Sequence, residues 1–144
     1  MPLIERSALV EHSADQMYGL VNRVDTYPQF LNWCTGTEIL ESSSEAMVAR
    51  VSVNIVGVRQ AFTTRNTLTE PTAIHMQAID GPFRSFVGQW SFKALGEDGA
   101  KVMLKLDFEL GSDLLASAFA SGFSWVAKRL VGDFVTRADE QFGS

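Results

Sequence analysis

The sequence has few of the residues that disulfides and metal sites require. Its 144 residues include one cysteine, Cys34, and two histidines, His12 and His75. A single cysteine excludes an intramolecular disulfide and an all-cysteine metal site, and two distant histidines do not provide the ligand spacing of structural zinc. We therefore expect no metal, a buried Cys34 that acts as a small hydrophobic residue, and a fold stabilised by its hydrophobic core.

Long hydrophobic runs are also lacking. The longest stretch without a charged residue covers 14 residues, from Leu114 to Ala127, whereas a helix that spans a bilayer needs roughly 20 apolar residues. The N-terminal segment from Met1 to Arg6 does not have the basic and then apolar pattern of a secretory signal. We expect no transmembrane segment and a cytoplasmic, bacterial location, and transient membrane contact stays open.

Positive charge is in deficit overall but not everywhere. Twelve basic and 17 acidic residues give a net charge of −5, which argues against DNA as a partner because phosphate binding usually requires a basic protein. Residues 59–105 nevertheless contain six basic and four acidic residues. A local basic patch for another partner is therefore compatible with the sequence.

The order of predicted elements indicates one α+β domain over residues 1–144. Apolar and polar residues alternate at residues 4–10 and in five further rows between Met47 and Leu110, as in strands with one buried face, and we expect six strands after the first helix, from Gly36 onward. A capping box at Ser13 and Gln16 begins a helix, and residues 25–33 read as a short irregular helix. A long helix over residues 113–141, with Ser112 as its N-cap, follows the strands. We expect a curved antiparallel sheet of about seven strands that wraps around this last helix, the helix-grip arrangement.

Several stretches resemble one known family over nearly the whole chain. They are Met17-Tyr18, Tyr27-Pro28-Gln29-Phe30-Leu31, Cys34-Thr35-Gly36, Phe62-Thr63-Thr64-Arg65-Asn66, Asp80-Gly81-Pro82-Phe83 and Leu106-Asp107-Phe108-Glu109. The sequence is similar in these stretches to the START-like coenzyme Q-binding proteins, which are related to polyketide cyclases and dehydrases, and within them to the bacterial ribosome-association toxin branch. The resemblance implies non-covalent ubiquinone binding in support of respiration, with no required cofactor. The branch implies binding to the large ribosomal subunit and a block of subunit association.

Signatures of catalysis are missing. There is no Gly-x-Ser-x-Gly elbow, and Cys34 has no recognisable catalytic partner motif. Asp107 and Glu109 share one strand face opposite the core side, so we expect both to be solvated, and we expect an exposed His75. We predict no catalytic residues and no enzyme, although related helix-grip proteins include cyclases, so that an aromatic cyclase or hydrolase is a third alternative.

Polar and small residues interrupt the inward rows of the predicted sheet. Thr64 and Asn66 place polar atoms in a row that faces the core, where they need partners, and Gly88 leaves space between two aromatic positions. An apolar cavity with a few polar groups suits a lipid-like ligand, whereas a filled aromatic core is the structural alternative. The segment from Tyr27 to Trp33 is the candidate mouth. The predicted ligand-binding residues are Tyr27, Phe30, Phe62, Thr64, Asn66, Met76, Gly88, Trp90, Phe119, Phe123 and Val126.

A second set of residues is predicted to face a partner. On the helical wheel of the last helix, Trp125 lies opposite the apolar arc, and exposed tryptophans often anchor protein interfaces or membrane surfaces. An edge contact with a neighbouring loop is the alternative. Arg59 and Arg65 share a strand face, and Arg84 lies near a turn, so these arginines are candidates for contact with ribosomal RNA or ordinary solvated charges.

Overall fold

A computed structural model describes residues 3–110 and 114–143, with the side chains of the last helix described from residue 119 onward. The elements in chain order are β1 (Leu3–Val10), α1 (Ala14–Asn22), a 3-10 helix (Val24–Gln29), β2 (Cys34–Ser42), β3 (Ala46–Ile55), β4 (Val58–Thr69), β5 (Ala73–Asp80), β6 (Phe83–Ala94), β7 (Ala100–Leu110) and α2 (Leu114–Phe142). This order confirms the predicted strand, helices, six strands and long helix. The predicted N-cap Ser112 lies outside the described residues.

The strands form one antiparallel sheet in the order β1-β7-β6-β5-β4-β3-β2. Strands β2 to β7 follow one another as a meander, because each short turn returns the chain beside the strand it has just left. β1 pairs with β7 in a register that sets Ile4 opposite Leu106. The first strand thereby extends the edge of the sheet next to the strand that precedes α2.

Local sequence determines how the chain leaves β1. The Ser13 side chain accepts a hydrogen bond from the backbone N–H of Gln16, and the Gln16 side chain accepts one from the backbone N–H of Ser13, which confirms the predicted capping box. α1 then buries Met17, Leu20 and Val21. The 3-10 helix that follows contains Pro28 and connects α1 to the first strand of the meander.

Helix α2 covers the inner face of the curved sheet. Phe119, Phe123, Val126 and Phe134 are buried against it, at the spacing of one helix face. Full burial of each such side chain contributes roughly 1.5–3 kcal/mol, so this face is a principal source of stability. In the part of the chain that the structure describes, no helix combines the length and the apolarity needed to cross a bilayer.

The turn between β3 and β4 contacts α2. Ile55 pairs with Val58, so the turn has two central residues, Val56 and Gly57, with φ angles of 47° and 79°. Positive φ at both positions defines the type I′ geometry, in which Asn-Gly is the preferred pair. A Cβ atom at Gly122 would lie 2.8 Å from Val56 Cγ2. The turn and α2 therefore approach each other as closely as a glycine permits.

Candidate functional site

An apolar cavity lies between the inner face of the sheet and α2. Its volume is about 80 Å³, well below the roughly 300–1,000 Å³ of pockets that bury drug-sized ligands. The lining residues are Val24, Tyr27, Trp33, Ala49, Val51, Phe62, Thr64, Asn66, Met76, Phe86, Trp90, Leu104, Leu106, Phe123, Val126, Ala127, Leu130 and Phe134. A ligand larger than a few atoms has to displace some of these side chains as it enters.

Two polar side chains face this cavity from β4. The Thr64 hydroxyl donates a 2.9 Å hydrogen bond to Asn66 Oδ1, and both residues are buried. A hydroxyl both donates and accepts, so the pair is also satisfied with the amide turned over. One orientation leaves the amide N–H groups for a ligand, and the other leaves the amide oxygen. The pair can therefore match either an acceptor or a donor on a ligand.

The segment after α1 contributes two further polar atoms to the cavity wall. The Tyr27 hydroxyl donates to the backbone oxygen of Val21, and burial raises the pKa of the Tyr27 phenol. Trp33 Nε1 is buried and has no hydrogen-bond partner among the described residues. An unsatisfied buried donor is unusual in a folded protein, and here it belongs to a residue that lines the cavity. This N–H is a second polar group that a ligand can engage.

Three predicted ligand residues lie outside the lining: Phe30, Gly88 and Phe119. Phe30 is half-buried and packs edge-on against Phe134, with ring centroids 5.2 Å apart. Phe119 is fully buried and stacks on Phe123 at 5.8 Å. Each of these two rings supports a lining side chain from behind, because an aromatic neighbour occupies the position nearer the cavity.

The space predicted beside Gly88 is occupied. A Cβ atom there would lie 2.8 Å from Met76 Cε and 2.9 Å from Leu106 Cδ1. The prediction of open space at Gly88 was wrong because the neighbouring strands supply side chains that fill it. Gly88 acts on the cavity indirectly, since it lets these two lining side chains pack over its backbone.

Sequence analysis missed part of the lining. Ala49, Val51, Leu104 and Leu106 come from inward rows of their strands, so alternation identified them as buried but gave no reason to place them at a cavity. Trp33 lies in the irregular segment, where no periodicity indicates the direction of a side chain.

The predicted partner residues are on the surface, with different surroundings. Arg59 and Arg65 are exposed and share the outer face of β4. Arg84 is not free, because its Nη1 lies 3.0 Å from Glu109 Oε1. Trp125 is 61% exposed, and the Arg129 guanidinium carbon lies 4.6 Å from its ring centroid. Arg50, on the same outer face one strand away, is exposed as well.

The ionisable groups near the cavity do not form an acid–base pair. Among the described residues, Tyr27 is the one ionisable residue of the cavity lining, and the other lining side chains are apolar or carry a hydroxyl, amide or indole group. Burial raises the pKa of the Cys34 thiol, which disfavours the nucleophilic thiolate. His75 is exposed, as predicted. Asp107 and Glu109 are half-buried rather than fully solvated, since one lies in the pairing region of β1 and the other binds Arg84.

A curved antiparallel sheet that encloses an apolar cavity with one long helix defines a START-like helix-grip protein. The chain belongs to the polyketide cyclase / dehydrase and lipid transport family, whose model matches residues 10–135. Among solved structures, the Zhui aromatase/cyclase from Streptomyces sp. R1128 superposes with a TM-score of 0.86 at 16% identity, over 98% of this chain and 95% of that chain. That likeness shows the fold.

Two relatives point to different functions. The ribosome association toxin RatA of Escherichia coli K12 is 44% identical over 144 residues, which is 100% of this chain and 91% of the relative. The mitochondrial coenzyme Q-binding protein COQ10 of Dictyostelium discoideum is 24% identical over 97% of this chain and 70% of the relative. The chain thus resembles the ribosome-associated toxin more strongly, and both resemblances span its fold.

Proposed function

We propose that this protein binds the large ribosomal subunit in a bacterial cytoplasm and inhibits subunit association, without catalysing a reaction. The observation that carries the proposal is the 44% identity to a ribosome association toxin over the whole chain. Among the described residues, the cavity lining contains no carboxylate, imidazole or amine, and these are common acid–base groups of enzymes.

The outer face of β3 and β4 is the surface that we assign to the ribosome. Residues 46–69 include no acidic residue and three arginines, Arg50, Arg59 and Arg65. Arg65 lies opposite Val48 and Gln77, and Arg59 lies opposite Asn54, so neither faces a carboxylate across the strands. Arg50, by contrast, lies opposite Glu38 on β2, and Glu41 lies one strand further from Arg65, opposite Val48. Arg59 and Arg65 are therefore the arginines that we assign to RNA phosphates, which a guanidinium group can bind through two N–H donors.

Charge reversal tests this assignment. We expect Arg59→Glu/Arg65→Glu to lose cosedimentation with purified large subunits, and to lose it together with inhibition of subunit joining. The matched control is Arg6→Glu/Arg23→Glu, which makes the same change in net charge at exposed positions outside β3 and β4. Equal binding by both variants would contradict the assigned surface, and failure of the unsubstituted protein to cosediment would contradict the function.

A second candidate function is binding of a polyprenyl quinone, with ubiquinone as the ligand. The observation that favours it is the Thr64–Asn66 pair in a cavity that is otherwise apolar, since quinone oxygens accept hydrogen bonds from amide or hydroxyl groups. Each methylene of the tail that leaves water contributes roughly 0.8 kcal/mol. Because the cavity measures about 80 Å³, the tail has to widen it, and the Tyr27–Trp33 segment is the wall that moves without breaking the sheet.

Mass spectrometry tests the quinone. The protein is purified from a quinone-producing host without detergent, extracted with organic solvent, and compared with Thr64→Val/Asn66→Leu prepared in the same way. We expect a stoichiometric isoprenoid quinone from the unsubstituted protein and a depleted extract from the variant. An empty extract from the folded protein would remove this candidate and leave the ribosomal function unaffected.

A further inference from the structure

A solvent-exposed apolar surface lies where α2 meets the turn between β3 and β4. Val56 is 72% exposed and Trp125 is 61% exposed. The two are brought together by Gly122, where a Cβ atom would lie 2.8 Å from Val56 Cγ2, because Trp125 follows Gly122 by about one helical turn. We call Val56, Trp125 and the cations beside them the turn–helix surface.

The charged residues that flank Val56 and Trp125 most closely in sequence are positive. Arg59 is on β4 just after the turn, and Lys128 and Arg129 follow Trp125 on α2; all three are exposed. Arg129 lies over the Trp125 ring, 4.6 Å from its centroid. The sequence has no acidic residue in 46–69 or in 114–132, and Asp133, one helical turn after Arg129, is the first acidic residue beyond Trp125 on α2. An overall charge of −5 therefore coexists with a local surface that attracts anions.

Val56 has a backbone conformation that valine rarely adopts. Its φ of 47° lies in the left-handed region, where a β-branched residue is strained. Asparagine suits this turn position better, and it would also remove an exposed apolar side chain. Strained backbone conformations of this kind concentrate at functional sites. Here the strained residue is one whose apolar, branched side chain is exposed to solvent.

We propose that the turn–helix surface docks on an anionic lipid bilayer, with Val56 and Trp125 inserted at the headgroup level and the three cations against lipid phosphates. An apolar tip, an interfacial tryptophan and surrounding lysine and arginine are the combination that lipid surfaces select. RNA fits less well, because the Val56 side chain neither stacks on bases nor forms hydrogen bonds. The proposal goes beyond the proposed ribosome binding and does not depend on it; Arg59 is the one residue that the two surfaces share.

Vesicle flotation of the full-length protein tests the proposal. Vesicles of phosphatidylcholine with roughly a third phosphatidylglycerol should carry the protein, pure phosphatidylcholine should not, and added salt should release it. Trp33 is half-buried and Trp90 is buried, so a blue shift of tryptophan emission on these vesicles should disappear in Trp125→Phe. Arg129→Gln should weaken binding about fivefold, as expected for one interfacial cation worth about 1 kcal/mol.

Val56→Asn is the decisive variant, because asparagine adopts this turn conformation more readily than valine, so that a loss of binding can be separated from a loss of stability. We expect it to keep or increase stability toward urea and to reduce flotation at least fivefold. Leu9→Asn is the matched control: Leu9 is 74% exposed on β1, at the opposite edge of the sheet. Absence of flotation, equal flotation of Val56→Asn, or equal loss in Leu9→Asn would overturn the proposal. Binding of an RNA oligonucleotide but not of vesicles, with the same sensitivity to Val56→Asn, would also overturn it.

Discussion

His12 Nε2 lies 2.7 Å from Asp139 Oδ1, across 127 positions of sequence. A carboxylate accepts and does not donate, so the imidazole nitrogen carries the proton of this hydrogen bond. His12 is 4% exposed and lies between β1 and α1, whereas Asp139 belongs to the last turns of α2. The contact thus fixes the C-terminal end of the helix that closes the cavity to the edge of the sheet where the chain begins.

Removal of this carboxylate should destabilise the protein. We expect Asp139→Ala to lower the free energy of unfolding by about 1–3 kcal/mol, because the buried His12 ring keeps a donor without a partner. Glu140→Ala is the control on the same helix: Glu140 is an exposed residue, 4.0 Å from Arg137 Nη1, and its loss should change stability by less than about 1 kcal/mol. Urea denaturation measures both, and equal effects would show that His12 finds another partner.

Replacement of Gly88 should reduce the cavity. In Gly88→Ala, the new methyl group displaces the ends of Met76 and Leu106, which lie 2.8 and 2.9 Å from it and which both line the cavity. We expect a loss of about 1–3 kcal/mol in stability and weaker binding of decylubiquinone. Gly36→Ala is the control, because no heavy atom lies within 4 Å of a Cβ atom there. Unchanged binding and stability in Gly88→Ala would show that the two side chains move away from the cavity rather than into it.

The prediction of the fold from sequence succeeded because β3, β4, β6 and β7 each bury alternate residues. Alternation at Phe62, Thr64 and Asn66 identified the inward row of β4 regardless of what it packs against. Alternation did not predict three contacts with distant residues. Phe30 packs on Phe134, Met76 packs over Gly88, and Arg84 binds Glu109. The periodicity of a single sequence carries no information about which distant residues come into contact.

Removal of both polar side chains of the Thr64–Asn66 pair should preserve the stability of the protein and weaken its binding of a quinone. In Thr64→Val or in Asn66→Leu, the remaining polar group loses its partner in an apolar cavity, which costs about 1–3 kcal/mol. Thr64→Val/Asn66→Leu removes both groups, so we expect it to be at least as stable as the unsubstituted protein and to bind decylubiquinone more weakly. Urea denaturation of the four proteins, with a binding titration, measures both. A double variant with unchanged binding would show that the pair does not contact the ligand.

Stability should fall in alkali. Burial raises the pKa of Cys34 above its ordinary 9.0 and that of Tyr27 above its ordinary 10.0. The unfolded chain therefore releases these protons at a lower pH than the folded protein does, and the free energy of unfolding declines once the pH exceeds about 9, by up to 1.4 kcal/mol per pH unit for each group. Urea denaturation from pH 7 to 11 should show a shallower decline in Cys34→Ala/Tyr27→Phe. An equal decline in this variant would assign the alkaline loss to other groups.

Replacement by alanine should change the stability of the protein in opposite directions at two glycines of α2. In Gly122→Ala, the methyl group meets Ile55 Cγ2 and lies 2.8 Å from Val56 Cγ2, and these methyls belong to stiff, β-branched side chains. The helix has to move away from the turn, so we expect a loss of about 1–3 kcal/mol. Gly132→Ala meets no heavy atom within 4 Å and should gain about 0.5–1 kcal/mol, as alanine does over glycine inside a helix. Equal stability of the two variants in urea would show that the turn moves to accommodate the new methyl group. The contact between the turn and α2 would then not fix the position of the helix over the cavity.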